Sequence, residues 1–274
     1  MLAEQNLRDG NLTEALAQLQ GEVRQDPANA QHRVFLFQLL SVLGDWDRAM
    51  TQLNVCGDMD AGTLAMVQTY REALQCEVLR EDIFAGKKAP LIFGKPGQWV
   101  ALLIEALRLT AEGHHEEAQD LRAKAFESAP STAGKIDDQA FEWIADADLR
   151  LGPVLEAIVN GRYYWVPFDH IRTINVEKPV DLRDRVWMPV HFTWANGGEA
   201  VGLIPTRYPG SHLSDDPQIR LAAKTEWREL PADTHLGEGQ RLLATDGGEF
   251  PLMDIRVIEL ESAEVDQEAV ETGG

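Results

Sequence analysis

The chain has 274 residues, 44% of them apolar and 26% charged, and a formal net charge of −20. That length and composition provide for one large globular domain or two modest ones, and no apolar run approaches the roughly 18 to 20 residues of a membrane-spanning helix. Acidity on this scale excludes nucleic acid as a partner and disfavours an anionic membrane surface, because no basic face is left to displace counterions from phosphate.

The first residues, MLAEQNLRDGN, carry neither a basic leader nor an apolar signal core, so the expected location is cytoplasmic. Cys56 and Cys76 show no CxxC spacing and read as two free, buried thiols of a reducing compartment. Three segments of the first half align without gaps: RDGNLTEALAQL, VLGDWDRAMTQL and AEGHHEEAQDLR. Each has a glycine (Gly10, Gly44, Gly113) followed five residues later by an alanine (Ala15, Ala49, Ala118). Twelve residues after the alanine stand Pro27, Ala61 and Pro130. Around the second copy, Phe35, Leu36, Leu39, Leu40 and Leu43 form an apolar stripe at helical spacing, Asp45 can cap the next helix, and Trp46, Ala49, Met50 and Leu53 return the stripe. The small alanine allows paired helices to approach. This pattern resembles the tetratricopeptide repeat, and the expectation for 1–135 is a helical repeat array. Within it, 63–84 reads as one long helix or a degenerate repeat. KKAPLIFGKPGQ (87–98) is a loop without the GxxxxGK[ST] spacing of a phosphate-binding loop. His114 and His115 diverge by about 100° on a helix and do not share a metal ion.

Repeat arrays bind polypeptides along an inner surface built mainly from the first helix of each pair. By register Gln31, Val34, Gln38, Val100, Leu103 and Leu107 are the candidate partner-binding residues; the same spacing also fits burial.

Residues 136–161 read as a connecting helix, with Phe141, Ile144, Leu151 and Leu155 on one side and a kink at Gly152–Pro153. From residue 162 to 260 the period changes. Short runs rich in valine, isoleucine and aromatics alternate with turns, and NGG (196–198) and DGG (246–248) mark hairpins. The expectation is a mainly antiparallel sheet of about five to seven strands, followed by an acidic, disordered tail over 261–274. The fold class is α+β: a helical repeat array, then a β-rich domain. Trp143, Asp146, Asp148, Arg150, Arg162, Tyr163, Tyr164, Trp165, Arg207 and Tyr208 are the candidate residues of the junction, where large amphipathic rings match two architectures.

No catalytic constellation stands out. Asp146 and Asp148 would point about 200° apart on a helix, Asp169 and His170 face opposite sides of a strand, and no GxSxG elbow supplies a nucleophile. The chain is therefore read as no enzyme, with no cofactor and no metal. Two alternatives stay open: a general peptide-binding repeat protein, and a small-molecule or hydrolytic pocket where Arg162, Asp169, His170 and Arg207 converge.

WIADADLRLGPVLEAIVNGRYYWVPFDHI (143–171) and DLRDRVWMPVHFTWANGGEAVGLIPTRYPGS (181–211) closely resemble the ImpE family, also called TagJ. The resemblance implies a cytoplasmic accessory protein of a bacterial type VI secretion system. Its implied partners are the small subunit of the contractile sheath and the ClpV-type AAA+ ATPase that disassembles contracted sheath.

Overall fold

The computed structural model describes residues 2–95 and 97–261; the tail beyond, 262–274, where disorder is expected, lies outside the described residues. Seven helices come first: α1 (Leu2–Arg8), α2 (Leu12–Gln25), α3 (Ala30–Val42), α4 (Trp46–Met59), α5 (Leu64–Phe84), α6 (Gln98–Glu112) and α7 (His115–Ser128). α1–α2, α3–α4 and α6–α7 are antiparallel pairs that reverse at Gly10, Gly44 and Gly113, whose φ angles of 78°, 73° and 85° are ones that residues with a side chain resist. Ala15, Ala49 and Ala118 are fully buried. Asn29 caps α3 through the amides of Gln31 and His32, and Asp45 caps α4 through that of Arg48. Between the second and third pairs α5 runs as a single long helix.

The strands are β1 (Leu91–Ile92), β2 (Gly134–Ile136), β3 (Gln139–Phe141), β4 (Ile144–Asp146), β5 (Val154–Val159), β6 (Arg162–Pro167), β7 (Ile171–Val176), β8 (Trp187–Trp194), β9 (Glu199–Pro205), β10 (Thr225–Leu230), β11 (Thr234–Gly239), β12 (Leu242–Thr245), β13 (Gly248–Pro251) and β14 (Val257–Leu260), with a short helix α8 (Pro217–Arg220) before β10. Nine form one sheet in the order β1-β6-β5-β9-β8-β7-β14-β2-β3; β13-β12-β4 make a second sheet and β10-β11 a two-stranded ribbon. Every pairing is antiparallel except β1 with β6. The NGG and DGG signals fall at the β8–β9 and β12–β13 hairpins.

Two expectations are corrected. Residues 136–161 hold no helix but the end of β2 and all of β3, β4 and β5. The spacing of Phe141, Ile144, Leu151 and Leu155 mimics a helical face, but Asp137, Gly152, Asn160 and Gly161 all adopt positive φ and break any such helix. The β-rich part thus begins at Gly134, and the strands outnumber the five to seven expected. Several are only three or four residues long, too short for an alternation to register.

Strand β5 is buried at every position, so its sequence VLEAIV is apolar but for Glu156 and shows no alternation. One face of the large sheet carries Val154, Ile158, Tyr163, Trp165, Trp187 and Leu203 into the core shared with the helices. The other carries Leu155, Ala157, Val166, Met188, Val190 and Ile204 into a core of strands.

Candidate functional site

Charged groups meet where α5 lies on the sheet. Glu77 and Arg80, one turn apart on α5, are both buried. Arg80 forks onto Glu156 of β5, at 2.6 and 2.8 Å, and also donates to the Arg207 carbonyl at 2.9 Å. Glu77 accepts the indole N–H of Trp187 at 3.0 Å. The Tyr163 hydroxyl donates to Glu156 and accepts from the Trp165 indole at 2.9 Å. Arg241 bridges Glu156 and Asp146. Asp148 holds Arg150 and accepts the Gly237 amide at 2.8 Å. Arg207 reaches across the halves to donate to the carbonyls of Ser41 and Val42, at 2.9 and 2.6 Å. These belong to the last turn of α3, where carbonyls have no partner within the helix.

Burial works against the charge of Glu156, yet the guanidinium groups of Arg80 and Arg241 overcome it and hold the carboxyl at about 2. At Asp146 burial outweighs Arg241, and the neighbouring Asp148 adds to it, lifting that carboxyl to about 7. Each of these carboxylates is engaged by a guanidinium and buried, so the cluster ties the helical half to the sheet.

Of the residues proposed for the junction, Asp146, Asp148, Arg150, Tyr163, Trp165, Arg207 and Tyr208 are buried in or beside this seam. Tyr164 points to the opposite face of the sheet, edge-on to Phe93 at 5.8 Å. Arg162 is exposed and Trp143 is 41% exposed, so neither joins it. Glu77, Arg80, Glu156, Trp187 and Arg241 are central to the seam and absent from that set. The available signal was the lone acid of Glu156 inside the apolar run VLEAIV. The pocket pictured for Arg162, Asp169, His170 and Arg207 does not form: Arg207 is spent on α3, the His170 ring nitrogen lies 2.9 Å from the Phe93 carbonyl, and Arg162 is exposed.

A second junction lies at the repeat turns. The His212 imidazole fills the space left by the absent side chain of Gly44 and meets Trp46 edge-on at 5.5 Å, while Pro217 lies over Gly10. Burial, helped by Arg207, Arg80 and Arg220, lowers His212 to about 4. The unfolded chain therefore takes up this proton first, near the ordinary 6.5, and the stability His212 contributes is lost as pH falls from 6.5 towards 4. Replacing His212 by glutamine removes that loss. Thermal unfolding at pH 7.5 and pH 4.5 is expected to show the stability difference moving in the variant's favour on acidification.

A cleft of about 860 Å³ opens between α1, α3 and the segment 179–185 that links β7 to β8. Gln31, Val34 and Gln38 line it together with Leu7 and Arg8 of α1. Val100, Leu103 and Leu107 do not: all three are buried in the core shared by helices and sheet. They are corrected from candidate partner contacts to core residues, since α6 turns its apolar stripe inward.

The ImpE protein family profile matches residues 138–259. A Pseudomonas aeruginosa protein named type VI secretion system accessory component TagJ is 52% identical over 261 residues, covering 95% of this chain and 92% of that protein. A crystal structure of a Vibrio parahaemolyticus protein, at 24% identity, superposes with a TM-score of 0.87 over 96% of this chain and 98% of the other, which shows a shared fold.

Proposed function

The chain belongs to the ImpE (TagJ) family, and on that premise we propose that it is a cytoplasmic, non-enzymatic adaptor of a type VI secretion system. Its partner is the small sheath subunit, and it links that subunit to the ClpV-type ATPase that disassembles contracted sheath. The cleft on the inner side of α1 and α3 carries this reading. It has a volume of about 860 Å³, it presents apolar wall and side-chain amides together, and it lies on the first helices of two repeat pairs. The seam supports the same reading, because its carboxylates are used up in mutual pairing. Among the described residues no helix is long and apolar enough to cross a membrane.

Binding of the purified cognate small sheath subunit to the immobilised protein tests the proposal. Retention at micromolar concentration is expected. Gln31→Trp, which fills the cleft from an exposed position, is expected to weaken binding at least tenfold with an unchanged unfolding midpoint. Failure of the native protein to retain the subunit at all would remove the proposal. Adding the ATPase to the captured complex then reads the second link.

A further inference from the structure

We propose that a trough beside β4 is a second polypeptide site, where an extended, basic segment of a partner protein adds to the strand edge at Ile144. The inference does not depend on the reading of the cleft at α1 and α3, with which the trough shares no lining residue.

The trough, about 420 Å³, lies where the end of α7 meets β4. The small side chains of Ala145, Ala147 and Ala244 line it together with the rings of Trp143, Phe126 and Pro130. Trp143 is 41% exposed, so much of its large ring is free for contact.

β4 is the outer strand of the sheet β13-β12-β4. Towards β12 it turns the backbone of Ala145, opposite Ala244, and of Ala147, whose amide donates to the Leu242 carbonyl at 3.0 Å. The backbone groups of Ile144 and Asp146 alternate with these and face away from β12. The Asp146 amide donates to the Gly152 carbonyl at 2.6 Å, and Gly152 lines the trough, so this edge opens onto it. The amide and carbonyl of Ile144 have no hydrogen-bond partner among the described residues, although the residue is only 4% exposed. A buried N–H and C=O left unmet cost free energy, which an added strand recovers through two backbone hydrogen bonds. One residue of the incoming segment meets Ile144, and its two neighbours lay their side chains over Trp143 and Ala145.

Charge fixes the kind of segment. No lysine or arginine lines the trough, and its one carboxylate, on Asp146, is engaged by Arg241. Three exposed acids stand around it. Glu142 precedes Trp143, the Asp246 carboxylate accepts the Glu142 amide at 2.8 Å, and Glu249 of β13 stands opposite Ala244. The nearby cations are already answered: Arg150 by Asp148, Arg241 by Asp146 and Glu156, and Lys135 by Glu259 across from it on β14. On α7, Lys124 and Glu127 stand on either side of Phe126 with opposite signs. An apolar segment flanked by lysines or arginines therefore complements the site.

Fluorescence anisotropy of the full chain with the labelled heptapeptide Lys-Lys-Val-Ala-Val-Lys-Lys tests this. Saturable binding is expected. N-methylation of the central alanine, which removes the strand-pairing donor, is expected to weaken it about tenfold, and exchange of all four lysines for glutamates about tenfold or more. Trp143→Ala is expected to weaken binding about fivefold and Trp143→Phe about twofold or less, with the unfolding midpoint unchanged because the position is exposed. Gln31→Trp is expected to bind the peptide like the native protein, so that failure here and failure at the cleft are read separately. Equal binding of the N-methylated peptide would overturn strand addition, and equal binding of the glutamate peptide would overturn the basic occupant. No saturable binding, or binding indifferent to Trp143→Ala, would overturn the site itself.

Discussion

Replacing Glu156 by glutamine is expected to destabilise the protein by about 3–5 kcal/mol, the usual cost of removing one partner from a buried ion pair. Glu156 is fully buried and answers two guanidinium groups at once, Arg80 from the helical half and Arg241 from β12's approach. The amide keeps the size and part of the hydrogen bonding but cancels the charge, leaving the buried Arg80 with Glu77 alone and Arg241 with Asp146 alone. Chemical denaturation of the variant is the measurement. The surface triad Glu105–Arg108–Glu112 is the contrast: its charges stay hydrated, and Arg108→Ala is expected to leave the midpoint where it was. Because the seam joins the halves, Glu156→Gln should also lose the helical and sheet signals in separate transitions. A single transition shifted by less than about 1 kcal/mol would show that the pairing contributes specificity of docking and little stability.

Gly44→Ala is the second large effect, expected at about 2–5 kcal/mol. Two independent costs add. A left-handed residue with a Cβ costs about 1–2 kcal/mol, and at φ 73° Gly44 requires that conformation. The new methyl would also overlap the His212 imidazole, which is wedged against Trp46 and cannot retreat without strain of about 1–3 kcal/mol. Gly113 separates the two costs: its φ is 85°, but no atom lies within 4 Å of a Cβ built there, so Gly113→Ala should show only the conformational part. In a double-mutant cycle His212→Ala should restore the difference between them, read from urea midpoints. Equal effects at Gly44 and Gly113 would mean that the His212 seat yields freely.

That contrast also measures how far the repeat register could be read from the amino acids alone. Gly10, Gly44 and Gly113 mark helix reversals by a local rule, and each one falls at a turn. The same rule is blind to Pro217 over Gly10 and His212 over Gly44, contacts that join residues more than 160 positions apart. The misread segment 136–161 shows the complementary failure. Its apolar spacing satisfied a helical template, but β5 is covered by helices on one side and strands on the other, so every residue of it is apolar or neutralised and no period survives.

Local chemistry in the chain was enough to specify the paired helices, their turns, the hairpins at 196–198 and 246–248 and the α-then-β order, because each depends on neighbours within a few residues. Which charges would be buried, and against what, depended on the tertiary structure. Arg80 and Glu156 are 76 positions apart and Arg241 and Glu156 are 85, and a side chain's partner at that distance is chosen only when the sheet closes beneath α5. The same closure took Val100, Leu103 and Leu107 into the core while it left Gln31, Val34 and Val180 lining an open cleft, since helical spacing names a face but not what will cover it.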